Sequence, residues 1–129
     1  MIVLDTSVLI AILLDEPTAA GLAGKLQHSS PRLFSAASLV EASQVIESRK
    51  GEAGGRELDL LIYRAGIEIV AVDAVQAEIA RAAFRRFGKG RHPAALNYGD
   101  CFSYALAKVS DAPLLFVGED FARTDLTIA

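Results

Sequence analysis

The chain has 129 residues, of which 52% are hydrophobic, and a formal net charge of -3. This length suits one domain over residues 1–129, able to bury roughly two thirds of its unfolded surface, and the composition excludes general disorder. The longest apolar run, Val8–Leu14, is too short to span a membrane, no secretory leader is visible, and a lone Cys101 makes neither an intrachain disulfide nor a zinc cluster, so the reading is a cytoplasmic protein with no membrane partner.

In chain order, Met1–Leu4 reads as a strand that stops at Asp5, with Thr6 and Ser7 directly behind it. Ser7–Leu14 and Thr18–Gln27 read as helices, Leu33–Ala36 as a short strand and Ser38–Arg49 as a helix. The glycines at 51, 54 and 55 read as punctuation before a further helix, Arg56–Ala65, whose Leu58, Leu61, Ile62 and Ala65 share one face. Ile67–Val72 alternates like a strand, Ala74–Phe87 is a helix, and Gly88–Gly99 is a loop. Asp100–Ser110 is a helix, Leu114–Val117 a strand, and Leu126–Ile128 a candidate last strand. Strands separated by helices predict an α/β fold: a central parallel sheet of four or five strands between two helical layers.

Ligands of such sheets sit beyond the carboxyl ends of the strands. Asp5 follows the first strand, Glu41 lies one turn into the helix after the second, and Asp120 comes just after Leu114–Val117. The Asp100 helix precedes a parallel strand, so it runs against the sheet and starts at the same edge. Each acid also has a plain alternative as a helix or turn cap. Asp5 would cap the first helix, Ser38 and Glu41 match a capping box, Asn97 and Asp100 open a helix with an acid in its first turn, and Asp120 would close a turn.

Gathered at one edge with no Lys or Arg in their motifs, the four carboxylates repel one another unless a cation sits among them. Oxygen donors alone select a hard ion, Mg²⁺ or Mn²⁺. Thr6 and Ser7 are placed to hold the second oxygen of Asp5, or to cap. A second cluster has the opposite sign. Arg81, Arg85, Arg86, Lys89 and Arg91, five of the thirteen Lys and Arg, precede His92. They read either as a solvated face or as phosphate contacts.

The ordered set Asp5-Thr6-Ser7, Glu41, Asn97-Tyr98-Gly99-Asp100 and Leu115-Phe116-Val117-Gly118-Glu119-Asp120-Phe121 resembles a PIN domain, and within that family the VapC toxins of type II toxin–antitoxin modules. The resemblance covers essentially the whole chain. It implies a three-layer α/β/α fold and a Mg²⁺- or Mn²⁺-dependent ribonuclease whose acids map onto Asp5, Glu41 and Asp100, with a fourth at Asp120; Glu119 and Asp125 lie close by. It also implies a homodimer and an antitoxin (VapB-like) whose C-terminal segment lies along the acidic groove, with a basic side chain entering the pocket.

On this reading Lys89 and Arg91, with Arg85, Arg86 and His92, guide RNA to the acids. Tyr98 either stacks on a base or packs on the loop, the second being favoured. The apolar runs Val8–Leu14 and Leu58–Ile62 are expected to lie partly under a second copy or the antitoxin. Two rivals are weighed. A phosphoryl-transfer domain of the phosphatase kind wants an Asp where Ser7 stands, and a receiver wants a Lys where Gly118-Glu119 stands. A non-catalytic RNA- or partner-binding module would not need every acid.

Overall fold

The computed structural model describes residues 1–129. Four strands, β1 (Ile2–Leu4), β2 (Arg32–Ser35), β3 (Ile67–Val70) and β4 (Leu114–Leu115), run parallel in the order β3-β2-β1-β4. Val3 lies opposite Leu33 and Leu114, and Leu4 opposite Phe34 and Leu115. Successive side chains of a strand point to opposite faces, so this register sorts the core into two halves. Val3, Leu33 and Leu114 pack under one helical layer, and Ile2, Leu4, Phe34 and Leu115 under the other. Each such side chain, when fully buried, contributes about 1.5–3 kcal/mol.

The second of these layers is built from α1 (Thr6–Leu13), α2 (Ala19–Gln27) and α3 (Ala36–Arg64); the first from α4 (Ala74–Phe87) and α5 (Tyr98–Ser110). The result is the expected three-layer α/β/α arrangement, with four strands. The fifth is reduced to one parallel bridge, Leu114 to Ile128, because only Leu114 exchanges backbone hydrogen bonds with Thr127 and Ala129. No helix is long and apolar enough to cross a membrane.

The two helices expected around residues 38–65 are present as the two arms of α3, which meet at a kink at Gly51. There φ is 65° and ψ is -162°, a conformation that favours glycine. Gly54, by contrast, stays helical and buried, packed so closely on Ile46 that a β-carbon would stand 2.9 Å from its carbonyl oxygen. One expectation needs correction: Ser38 does not cap α3. The cap is Ser35, whose hydroxyl accepts the Ala37 N–H at 3.2 Å, while Ser38 is buried inside the first turn. In Val8–Leu14, Val8, Leu9 and Ala11 are buried in the chain's own core and the other four residues are half-buried. The large apolar side chains left exposed on α3 are Val40, Val45, Tyr63 and Leu60, the last within the run Leu58–Ile62.

Candidate metal and nuclease site

Each acid reaches the sheet edge by a different local device. Asp5 ends β1 in extended backbone and caps α1, accepting the Ser7 N–H at 3.1 Å. Its capping role and its place at the edge are therefore compatible. Glu41 projects from the first arm of α3, beyond the end of β2. Asp100 completes a capping box with Asn97. The Asp100 N–H donates to Asn97 Oδ1 at 2.9 Å, and the Asn97 N–H donates to Asp100 Oδ2 at 3.0 Å. Asp120 opens a 3₁₀ turn, Asp120–Arg123, after β4.

The carboxylates feel one another. The Asp100 carboxyl is pushed up to about 7, first by burial and then by the charges of Asp5, Asp120 and Glu41, against the opposing hydrogen bond from Asn97. No Lys or Arg forms an ion pair with any of these four acids. Glu41 also reaches the first turn of α5, where its carboxylate fills the space that a β-carbon at Gly99 would take.

The edge is thus short of positive charge, and its donors are oxygens, the chemistry that a hard divalent ion satisfies. The acids do not form a closed cage: no three acidic, histidine or cysteine side chains stand close enough to share one ion as they lie. The donor set fits such an ion, which would pull these carboxylates inward.

Beneath the acids lies a layer of hydroxyls. Ser7 donates from Oγ to Asp5 Oδ2 at 2.7 Å and accepts the Val117 N–H at 3.0 Å, joining the ends of β1 and β4. Thr6 departs from expectation: its hydroxyl donates to the Ser38 carbonyl at 3.3 Å and leaves the Asp5 carboxylate alone. Ser103, unnoticed in the sequence, donates to Asp5 Oδ1 at 2.6 Å. No sequence signal marks it, since its partner is 98 positions away.

The alternatives for the fourth acid separate here. Asp125 accepts Tyr104 Oη at 2.7 Å, Lys108 Nζ at 2.8 Å and Arg86 at 3.3 Å. Burial would raise its carboxyl, but the hydrogen bonds from Lys108 and Tyr104, with the Lys108 charge, hold it below the usual carboxylate range. It is already neutralised. Glu119 is exposed and caps nothing, and only Asp120 of the three acts on Asp100.

Two of the basic residues hold ion pairs. Arg81 pairs with Glu78 at 2.8 Å, and Arg86 is taken up by Asp125 while its guanidinium lies 4.6 Å from the centre of the Phe87 ring. Arg85 and Lys89 are exposed and carry no ion pair. Arg91 lies 5.6 Å from the centre of the Phe84 ring. His92 is half-buried, with Nδ1 accepting the Ala94 N–H at 3.0 Å and its ring edge-on to Phe87, so it is built into the loop.

Tyr98 is 81% exposed, in a T-shaped contact with the Phe102 ring, and so is not packed into the loop. It stands on the rim of an apolar cleft between α4 and α5 that Arg85 and Phe84 also line, and none of the four acids enters that cleft. Cys101 is no nucleophile: burial and the nearby Asp100 push its thiol up to about 11.

Comparison with known proteins gives the family and the fold. The PIN-domain family matches residues 2–126. The chain is 62% identical over 124 residues to "Ribonuclease VapC" of Mycolicibacterium smegmatis, covering 96% of each chain. It is 58% identical over 124 residues to "Ribonuclease VapC30" of Mycobacterium tuberculosis, covering 96% of this chain and 95% of that one. Among solved structures, the Mycobacterium tuberculosis toxin VapC20, described as cleaving the sarcin-ricin loop, superposes with a TM-score of 0.79 at 19% identity, covering 100% of this chain and 98% of that chain. A chain of VapBC2 from Rickettsia felis, bound to a DNA fragment from its promoter, superposes with a TM-score of 0.76 at 20% identity, covering 99% and 96%. At those identities the structural likeness speaks for the fold.

Proposed function

We propose, since this chain belongs to the PIN-domain family, that it is a ribonuclease of the VapC kind, the toxin of a toxin–antitoxin pair, and that it hydrolyses RNA at the edge where Asp5, Glu41, Asp100 and Asp120 gather. The observation that carries the site is that Asp100, whose carboxyl is lifted to about 7 first by burial, also feels the charges of Asp5, Asp120 and Glu41, and that no Lys or Arg pairs with any of the four.

Asp5 and Asp100 are the principal candidates to hold a divalent ion, Mg²⁺ or Mn²⁺, with Asp120 completing the set. Such an ion, when bound, supplies Lewis acidity, acidifying water and neutralising charge on the phosphodiester. Glu41 makes no hydrogen bond to another side chain that would occupy its carboxylate, so it is free to orient the attacking water and take its proton. Ser7 fixes Asp5 from below. Lys89, Arg91 and Arg85 offset the repulsion between an acidic edge and a polyanion; Arg86 and His92 contribute to that loop's shape through Asp125 and Ala94.

The partner reading follows from the same charges. An Arg side chain of an antitoxin would satisfy the carboxylates through paired hydrogen bonds and so silence the site. The exposed Val40, Val45, Leu60 and Tyr63 of α3 offer apolar surface for that partner or for a second copy, and the setting is the reducing cytoplasm. The test is to incubate purified protein with labelled RNA in Mg²⁺, in Mn²⁺ and in EDTA. Cleavage that depends on the ion supports the reading; phosphate release from small phosphomonoesters with RNA left intact would favour the phosphoryl-transfer rival.

A further inference from the structure

Asp5 is 5% exposed, so what its two oxygens can offer a ligand depends on what they already accept. A carboxylate has about four lone-pair sites, two on each oxygen. Oδ2 accepts both the Ser7 N–H at 3.1 Å and the Ser7 hydroxyl at 2.7 Å, and is full. Oδ1 accepts one donor, Ser103 Oγ, at 2.6 Å. We propose that Ser103 is a positioning residue for the metal site: by occupying one side of Asp5 Oδ1 it leaves a single lone pair for a ligand and makes Asp5 a one-oxygen ligand of fixed direction.

Ser103 has no other means of satisfaction as good. It is 0% exposed, so no solvent competes for its proton. Its one proton goes to the carboxylate, and Ser38 Oγ, 3.4 Å away and also buried, is then the donor into the Ser103 oxygen. The relay Ser38 to Ser103 to Asp5 joins three of the four segments that carry the acids. Ser38 is one helical turn before Glu41 on α3, and Ser103 is one turn after Asp100 on α5, spacings that place both members of each pair on one helix face. The Thr6 hydroxyl, bonded to the Ser38 carbonyl, ties the start of α1 to the same point.

Groups that orient a metal ligand typically change ion affinity by roughly 10–100-fold when removed. This inference rests on the metal-dependent reading above, and its test separates the two. Binding of Mn²⁺ alone is measured by electron paramagnetic resonance on wild type, Ser103→Ala, Ser103→Thr and Ser38→Ala, with folding followed by thermal melts. Ser103→Ala should bind Mn²⁺ about 10-fold more weakly, Ser103→Thr should recover most of that loss by returning the hydroxyl, and Ser38→Ala, which keeps the bond to Asp5, should lose less than about threefold. Should Ser103→Ala not fold, Ser103→Cys keeps the volume with a poor donor and carries the same prediction. A Ser103→Ala protein with wild-type Mn²⁺ affinity overturns the role of Ser103 while leaving the nuclease reading in place. A wild type that binds no Mn²⁺ and cuts no RNA overturns both.

Discussion

The carboxylate of Glu41 lies against the Cα of Gly99, in the space that any β-carbon at position 99 would fill. The contact joins α3 to the first turn of α5, so the absence of a side chain at one position sets where an acid stands at another. What a methyl group would displace is the far end of a flexible side chain, not backbone. Gly99→Ala should therefore fold, and inside a helix it should gain up to about 1 kcal/mol of stability. Its RNA cleavage should fall at least roughly 10-fold, the lower end of what a general base contributes. Thermal melts and a cleavage assay on the same preparation check both halves.

Asp100 predicts how stability changes with pH. Its folded value of about 7 lies above the unfolded 3.8, so the folded protein binds the proton more tightly. The stability this gives is fully present below pH 3.8 and is lost as pH rises through 7. In EDTA, Asp100→Asn should thus be more stable than wild type at pH 8, by on the order of 1–2 kcal/mol after allowance for solvent screening, and the difference should shrink towards pH 5. Mg²⁺ should restore the wild type at pH 8 and leave Asp100→Asn nearly unmoved. Melting curves at both pH values, with and without the ion, measure it.

Lys89 and Arg91 predict the salt dependence of RNA binding. For single strands each phosphate contact adds about 0.7 to the slope of log K against log salt. With catalysis blocked by EDTA, Lys89→Ala/Arg91→Ala should flatten that slope by roughly 1.4 if both side chains touch phosphate. An unchanged slope would make them solvated surface.

Asp125 distinguishes a structural acid from a site acid. Asp125→Asn weakens the clasp of Tyr104, Lys108 and Arg86 on the last residues of the chain and should cost about 1 kcal/mol, little for a charge-assisted set because it is at the surface. RNA cleavage should stay within about twofold of wild type, since no step of the reaction passes through this carboxyl. Asp120→Asn should do the reverse, leaving the melting point in place and lowering cleavage.

The layered fold was legible in the sequence, and so was the neighbourhood of Asp100 with Asp5, Glu41 and Asp120, because both follow from rules of connection: parallel strands, helices returning against them, ligands beyond the strand ends. What escaped was set by contacts between distant segments. Ser38 and Glu41 spell a local cap, but Ser35 stands nearer the end of β2 and takes that role, which frees Ser38 to face Ser103. Ser103 reads as an ordinary helical serine until α5 is laid against β1. Glycines 51, 54 and 55 all read as punctuation between two helices, yet only Gly51 departs from helical backbone. The basic cluster looked continuous along the chain, whereas α4 turns Arg86 towards Asp125 and Arg81 towards Glu78.

Cleavage of one labelled RNA in Mg²⁺ by wild type, Asp5→Asn, Glu41→Gln and Asp100→Asn, each shown folded by circular dichroism, bears most directly on the convergence of these acids. Each substitution should lower the rate by at least about 100-fold, the lower range for removing a group that stabilises the transition state directly. A folded Asp5→Asn or Asp100→Asn protein that cuts at the wild-type rate would contradict the account.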